Sequence, residues 1–288
     1  MTNQILYPYP IQKITIHDKV EMAYMDTGKG KQTLLFIHGL ANYAPVWKHQ
    51  LDELKNEYRC IAIDLPGNGY STRGDYPYSQ FFYAECVKQF VDATGLENPV
   101  LVGHSMGGQI SLMLSLRYPS IFQQLILIGP AGIEIFSSTD IMFMQNILSL
   151  GDFFYADEMH LESTIRDGFA NPGIESNQII SDLKKIMKGH STKLWRQMAI
   201  SSINGMLNEQ INQFLHLVTA KTLLLFGSKD SMIPNRMLHP METTEKIATQ
   251  GAALIQDCEM HLIQGAGHFA FIEKHAETNQ LIRDWLKK

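Results

Sequence analysis

Val100-Leu101-Val102-Gly103-His104-Ser105-Met106-Gly107-Gly108 is the stretch on which the architecture turns. Val100 to Val102 is a short uncharged apolar run, the pattern of a strand buried on both faces. From Met106 the residues read as a helix as far as Arg117, and Pro119 stops it. Strand and helix are therefore joined by a turn with no loop between them. A turn that sharp forces its central residue into a strained backbone conformation and needs small flanking residues. The glycines at 103, 107 and 108 meet that need. Ser105 stands at the tip, its hydroxyl lifted above the sheet at a helix N-terminus, where backbone N–H groups can hold an oxyanion. We read Ser105 as a nucleophile rather than a structural turn serine.

The same alternation flanks this stretch. Residues 33–37 (TLLFI), 60–64 (CIAID), 125–128 (LILI), 222–226 (TLLLF) and 261–263 (HLI) are further apolar runs of strand length. Helical patterns cover 46–58, 79–94 and 270–286, and residues 14–27 read as two short strands, TIHD and EMAYMDTG. Continuous apolar strands alternating with helices specify an α/β fold, a mostly parallel central sheet covered by helices on both faces. Between 131 and 217 the pattern changes to helices alone: IMFMQNILSL, NQIISDLKKIM and KLWRQMAISSINGMLNEQINQFL. The expectation is a core of residues 1–130 and 218–288, with a helical cap or lid, 131–217, inserted between two sheet strands.

Composition narrows the class. The chain has 288 residues, 45% hydrophobic and 18% charged, enough for a sizeable core. A net charge of -5 leaves no basic excess to favour nucleic acid or anionic membrane. The three cysteines, Cys60, Cys86 and Cys258, are scattered, which fits neither a disulfide framework nor a metal site. The N-terminal residues carry no signal-peptide pattern, and no apolar run reaches membrane-spanning length, so the expected location is cytoplasmic.

A serine hydroxyl needs a base, and the base needs an orienting carboxylate. Asp230 follows the strand KTLLLFG, in Ser228-Lys-Asp-Ser-Met-Ile-Pro234, and His268 follows MHLIQGAG. Both stand at strand C-terminal ends, where an open parallel sheet gathers its ligands. The alternatives are a turn or capping role for Asp230 and a satisfied core role for His268. The strand ending at 128 leads into Gly129-Pro-Ala-Gly132, with no carboxylate directly after it to compete for the acid's role. Leu40, in His38-Gly39-Leu40 after the strand 33–37, is the second oxyanion donor we expect, its N–H acting with that of Met106. His38 reads as structural, with a base or a substrate contact as the alternatives, and His104 reads as structural.

FIHGLANYAPVW, DLPGNGYS, VGHSMGG, GSKDSMIP and GAGHFAFIE together resemble the successive motifs of the capped α/β-hydrolases, in order and over most of the chain. The resemblance implies the α/β-hydrolase fold and a serine-nucleophile hydrolase. Asn68 stands where the family usually has histidine, and we read it as structural. Relatives that open epoxides or displace halide use an aspartate nucleophile, and Ser105 argues against both. The implied mechanism is acyl transfer through a serine ester, with no metal or organic cofactor.

The expected activity is hydrolysis of a small-molecule carboxylic ester or thioester. The alternatives are a C–C bond hydrolase of a vinylogous diketone, which the short segment LILIGPAGI resembles, and a ligand-binding receptor with residual hydrolysis. Specificity is expected in the cap, from Met142, Met144, Met159, Met187, Met198 and Met206 with Phe143, Phe153, Phe154, Phe169 and Trp195. Such residues form an adaptable apolar pocket for an acyl or aryl group, or simply pack the cap helices. Met142 and Trp195 are the substrate contacts we single out. Arg166 and Arg196 are candidates for binding a substrate carboxylate, with solvated surface positions as the alternative.

Overall fold

The computed structural model describes residues 5–16, 19–149, 158–189 and 192–288. Eight strands form one sheet in the order β1-β2-β4-β3-β5-β6-β7-β8. They are β1 (Ile11–Thr15), β2 (Glu21–Asp26), β3 (Thr33–Ile37), β4 (Arg59–Ile63), β5 (Val100–His104), β6 (Gln124–Ile128), β7 (Lys221–Gly227) and β8 (Cys258–Ile263). From β4 to β8 every pairing is parallel, while β1–β2 and β2–β4 are antiparallel. The interior strands are almost wholly buried, which is why they read as unbroken apolar runs rather than alternating ones.

The chain leaves β3 toward β4 on one side, and β5 lies on the other side of β3. That reversal of strand order opens a crevice at the C-terminal edge, between the ends of β3 and β5. Ser105 follows β5 directly, and Gly39-Leu40 follow β3. The topology therefore brings the two loops together before any side chain is considered.

Between β2 and β6, α1 (Lys48–Leu54), α2 (Gln80–Thr94) and α3 (Met106–Arg117) connect the strands. α2 shows how local sequence sets its ends. Ser79 Oγ accepts the Phe82 N–H at 3.1 Å, and Gly95 closes the helix in the left-handed region at φ 65. An N-cap of this kind contributes about 1 kcal/mol.

Between β6 and β7 the described residues form α4 (Ser138–Ser149), α5 (Glu158–Asp167), α6 (Ile174–Lys188) and α7 (Thr192–Asn208), with no strand among them. α4 and α7 share a small apolar cluster of their own, Met144, Leu148, Ile203 and Leu207. Polar contacts tie this insertion to the rest of the chain. Tyr43 Oη donates to Asp182 Oδ2 at 3.0 Å, and Tyr83 Oη and Ser202 Oγ meet at 3.0 Å. After β7 come α8 (Thr244–Leu254), α9 (Ala270–Glu273) and α10 (His275–Leu286). No helix among the described residues is long and apolar enough to cross a membrane.

Three boundaries differ from expectation. β1 starts four residues before the expected TIHD, because its register is set by pairing with β2, and its exposed side chains leave little hydrophobic signal. The helix expected over 46–58 is a 3-10 turn, Ala44–Trp47, leading into the shorter α1. The last helix breaks at Lys274, whose φ of -129 and ψ of 44 are not helical, dividing α9 from α10.

Candidate active site

Ser105 has φ 53 and ψ -119, a conformation that costs a non-glycine residue of order 1–3 kcal/mol and persists only when the surroundings over-determine it. The surroundings do so: the Ser105 N–H donates to Ile128 O at 3.1 Å, and its carbonyl accepts from Gly108 and Ala131 at 2.9 Å each. The strain belongs to the turn between β5 and α3, and it leaves the serine side chain partly accessible while its neighbours are buried.

His268 and Asp230 meet beside it. The His268 ring donates its Nδ1–H to Asp230 Oδ2 at 2.8 Å, which leaves Nε2 as the basic nitrogen. The other carboxylate oxygen, Oδ1, accepts the N–H groups of Met232 at 2.8 Å and Ile233 at 3.0 Å. Both residues are buried. Gly129, at φ +47, explains why no side chain follows β6: a Cβ there would lie 3.1 Å from His268 Nδ1 and 3.2 Å from Asp230 Oδ2.

Ser105 and His268 open on a cavity of about 860 Å³ whose floor is the sheet edge and whose roof is α4, α5 and α7. Leu148, Leu161, Ile165, Phe169, Ile203 and Leu207 make much of its wall. Gly39, Leu40, Ala41 and Asn42 line it beside the serine, and a Cβ on Gly39 would come within 3.0 Å of Ser105 Cβ. Met106 is the first residue of α3, where the N–H has no partner within the helix.

The other expected substrate contacts fall elsewhere. His38 is fully buried, donating from Nδ1 to Gly39 O at 2.7 Å and accepting the Leu65 N–H at Nε2, 3.1 Å away. Burial lowers its pKa to about 4, so it is a neutral ring bracing the loop after β3, outside the cavity wall. Met142 lies on the outer side of α4 and is 58% exposed; Met144 and Leu148 hold the inner side, as a helical period requires. Trp195 is buried in the main core rather than at the cavity. Of the methionines singled out, Met144 and Met206 line the cavity, while Met159 is exposed. Phe153 and Phe154 lie outside the described residues. Arg166 lines the cavity but is paired with Glu162 at 2.9 Å, and Arg196 is not in the wall.

Three residues gain positions that the sequence reading did not assign. His104 donates Nε2–H to the carbonyl of His268 at 3.1 Å. Burial, and then the neighbouring His268, hold the His104 pKa well below the usual histidine value, so it acts as a neutral donor. Asp64 accepts from Tyr7 Oη at 2.6 Å, Ala44 N at 2.7 Å and Tyr70 N at 2.8 Å, joining the loops after β3 and β4. Glu134 lines the cavity, with His239 Nδ1 2.5 Å from its Oε1. The first two were visible as the neighbour of Ser105 and the opening residue of DLPGNGYS; nothing local marked the third.

Comparison with known proteins agrees with this architecture. The model of the α/β hydrolase fold family matches residues 32–162, from just before β3 into α5, a span that includes Leu40 and Ser105. The chain has the α/β-hydrolase fold. Among similar sequences, a dihydrolipoyllysine-residue acetyltransferase component of an acetoin cleaving system from Cupriavidus necator is 27% identical over 271 residues, 93% of this chain and 67% of that one. A 2-hydroxy-6-oxo-6-(2'-aminophenyl)hexa-2,4-dienoic acid hydrolase from Metapseudomonas resinovorans is 28% identical over 262 residues, 88% and 83% of the two chains. A thermophilic esterase from Thermogutta terrifontis superposes with a TM-score of 0.75 at 23% identity, covering 96% of this chain and 98% of that one.

Proposed function

We propose that the protein is a serine hydrolase of small-molecule carboxylic esters or thioesters, with Ser105 as nucleophile, His268 as general base and Asp230 as the acid that orients it. The observation that carries this reading is the buried 2.8 Å His268–Asp230 bond at the cavity that Ser105 also lines. His268 Nε2 takes the Ser105 proton as Oγ bonds to the substrate carbonyl carbon. The oxyanion is held by the N–H groups of Leu40 and Met106. Collapse of the tetrahedral species breaks the bond to the leaving group, which receives the proton from His268. Water, deprotonated by the same histidine, then releases the acid and restores Ser105.

The helices between β6 and β7 act as a cap, and their apolar inner wall favours an acyl or aryl group. Intact mass after exposure to a fluorophosphonate tests the nucleophile: one adduct is expected on the native protein and none on Ser105→Ala. An unlabelled, folded native protein would overturn the reading. The 28% identity to a dienoic acid hydrolase favours a second reading, cleavage of a C–C bond in a vinylogous diketone by the same residues. A dienone turned over much faster than simple esters would establish it.

A further inference from the structure

The peptide groups around His268 are bonded to the cap. The His268 carbonyl accepts from His104, within the core, but its N–H donates to Gly168 O at 2.7 Å. Gly168 lies between α5 and α6, in the same stretch of chain that supplies Leu161, Ile165 and Phe169 to the cavity wall. The contact is close on both sides. A Cβ on Gly267 would lie 2.6 Å from both Gly168 O and Ala170 N, and Phe169 stacks on Phe269 with ring centroids 4.6 Å apart. Beside Asp230, Ser231 Oγ donates to Asp167 O.

Glu273 closes this junction. Its Oε2 accepts the Gly267 N–H at 2.7 Å, next to His268, and its Oε1 accepts the Asn171 N–H at 2.9 Å, in the cap. One carboxylate thus joins two backbone donors from segments about a hundred residues apart. Only an acceptor at both ends can do so; an amide would turn a donor toward one of the two N–H groups. The break at Lys274 ends α9 at Glu273, so this side chain is anchored at a helix end rather than in a continuous helix.

We infer that Glu273 is a positioning residue that couples the cap to His268, so that the histidine is aligned for catalysis only when the 168–171 segment is seated. The inference rests on the reading of His268 as the general base. Substrate packing against Phe169 and Ile165 bears on the same segment that Glu273 holds, which links occupancy of the apolar wall to the position of the base.

The test compares native protein, Glu273→Gln and Asn171→Pro, the last removing the N–H on the cap side. For each, kcat and KM are measured for p-nitrophenyl acetate and p-nitrophenyl octanoate, together with the fluorophosphonate labelling rate and the Tm. In Glu273→Gln, kcat and labelling rate are expected to fall about ten-fold or more on both esters, with KM changed less than about two-fold. Asn171→Pro is expected to lose kcat in the same direction, with both variants folded by circular dichroism. Native kcat in Glu273→Gln, or in Asn171→Pro beside a defective Glu273→Gln, would overturn the coupling. A native protein that takes no fluorophosphonate would sink the reading of His268 as well; equal labelling of native and Glu273→Gln would sink the coupling alone.

Discussion

Asp230 uses its two carboxylate oxygens for different tasks: Oδ2 receives the His268 Nδ1–H at 2.8 Å, while Oδ1 is fixed by the N–H groups of Met232 and Ile233. The carboxylate cannot rotate without losing backbone donors. Asp230→Asn is therefore expected to reverse the tautomer preference of His268 while leaving the fold intact. The expected result is a fall in kcat of about 10³-fold or more with little change in KM, read by steady-state ester hydrolysis.

Gly129 is expected to be intolerant of any side chain. Its φ of +47 and the approach of a Cβ to His268 Nδ1 act in the same direction. Gly129→Ala should lower stability by about 1 kcal/mol and depress kcat by displacing the His268–Asp230 pair. Chemical denaturation and ester kinetics on one preparation check both; native kcat would show that the pair is not constrained from this side.

His104 offers a donor to the His268 carbonyl that glutamine can partly replace and alanine cannot. His104→Ala is expected to lose several-fold in kcat, with partial recovery in His104→Gln. Equal activity of the two variants would mean that the bond has no influence on the base.

His239 supplies a pH dependence. Burial draws its imidazole toward the neutral form, but the Glu134 hydrogen bond and the charges of Glu134 and Asp140 outweigh it, so the pKa is raised above the ordinary 6.5. A histidine whose folded pKa exceeds its unfolded value stabilises fully below the unfolded pKa and loses that contribution as pH rises through the folded one. The Tm difference between native protein and His239→Gln should therefore be largest below about pH 6.5 and shrink at higher pH. A difference that grows with pH would contradict the pairing.

Asp64 is fully buried, and burial pushes its pKa up to about 6 despite three hydrogen bonds. Native protein then holds a proton that the unfolded chain has released between the ordinary carboxylate value and pH 6, so this group's contribution to stability falls as pH rises through that window. Asp64→Ala should remove that slope. It should also cost about 1–3 kcal/mol at pH 7 by leaving the Ala44 and Tyr70 N–H groups without their acceptor. Urea denaturation at several pH values measures both effects.

Much of the frame was readable from local pattern. The interior strands are buried on both faces, so their apolar runs stand out, and the turn around Ser105 needs a glycine pattern too specific to overlook. Asp230 and His268 were legible because each comes a few residues after an apolar run of strand length. β1, an exposed edge strand, carried no such periodicity, and α5 and α8 were not read as helices at all.

Ligand-contact residues were harder, for a geometric reason. Met142 and Met144 are chemically identical and two residues apart, yet the helix turns one outward and the other into the cavity. Only the packing of α4 against α7 decides which faces in. Trp195 and His38 carry the composition of a pocket, but their surroundings make one core and the other a brace.

The sequence by itself determined the alternation of the interior strands with helices and the strained serine turn, and it marked Asp230 and His268, because each is written in contiguous residues whose backbone demands are local. Tertiary structure alone decided which side chains of the helices between β6 and β7 reach the cavity and that Glu273 bridges Gly267 to Asn171. Contacts between segments that far apart depend on how these helices and the sheet pack, and no local periodicity encodes that packing.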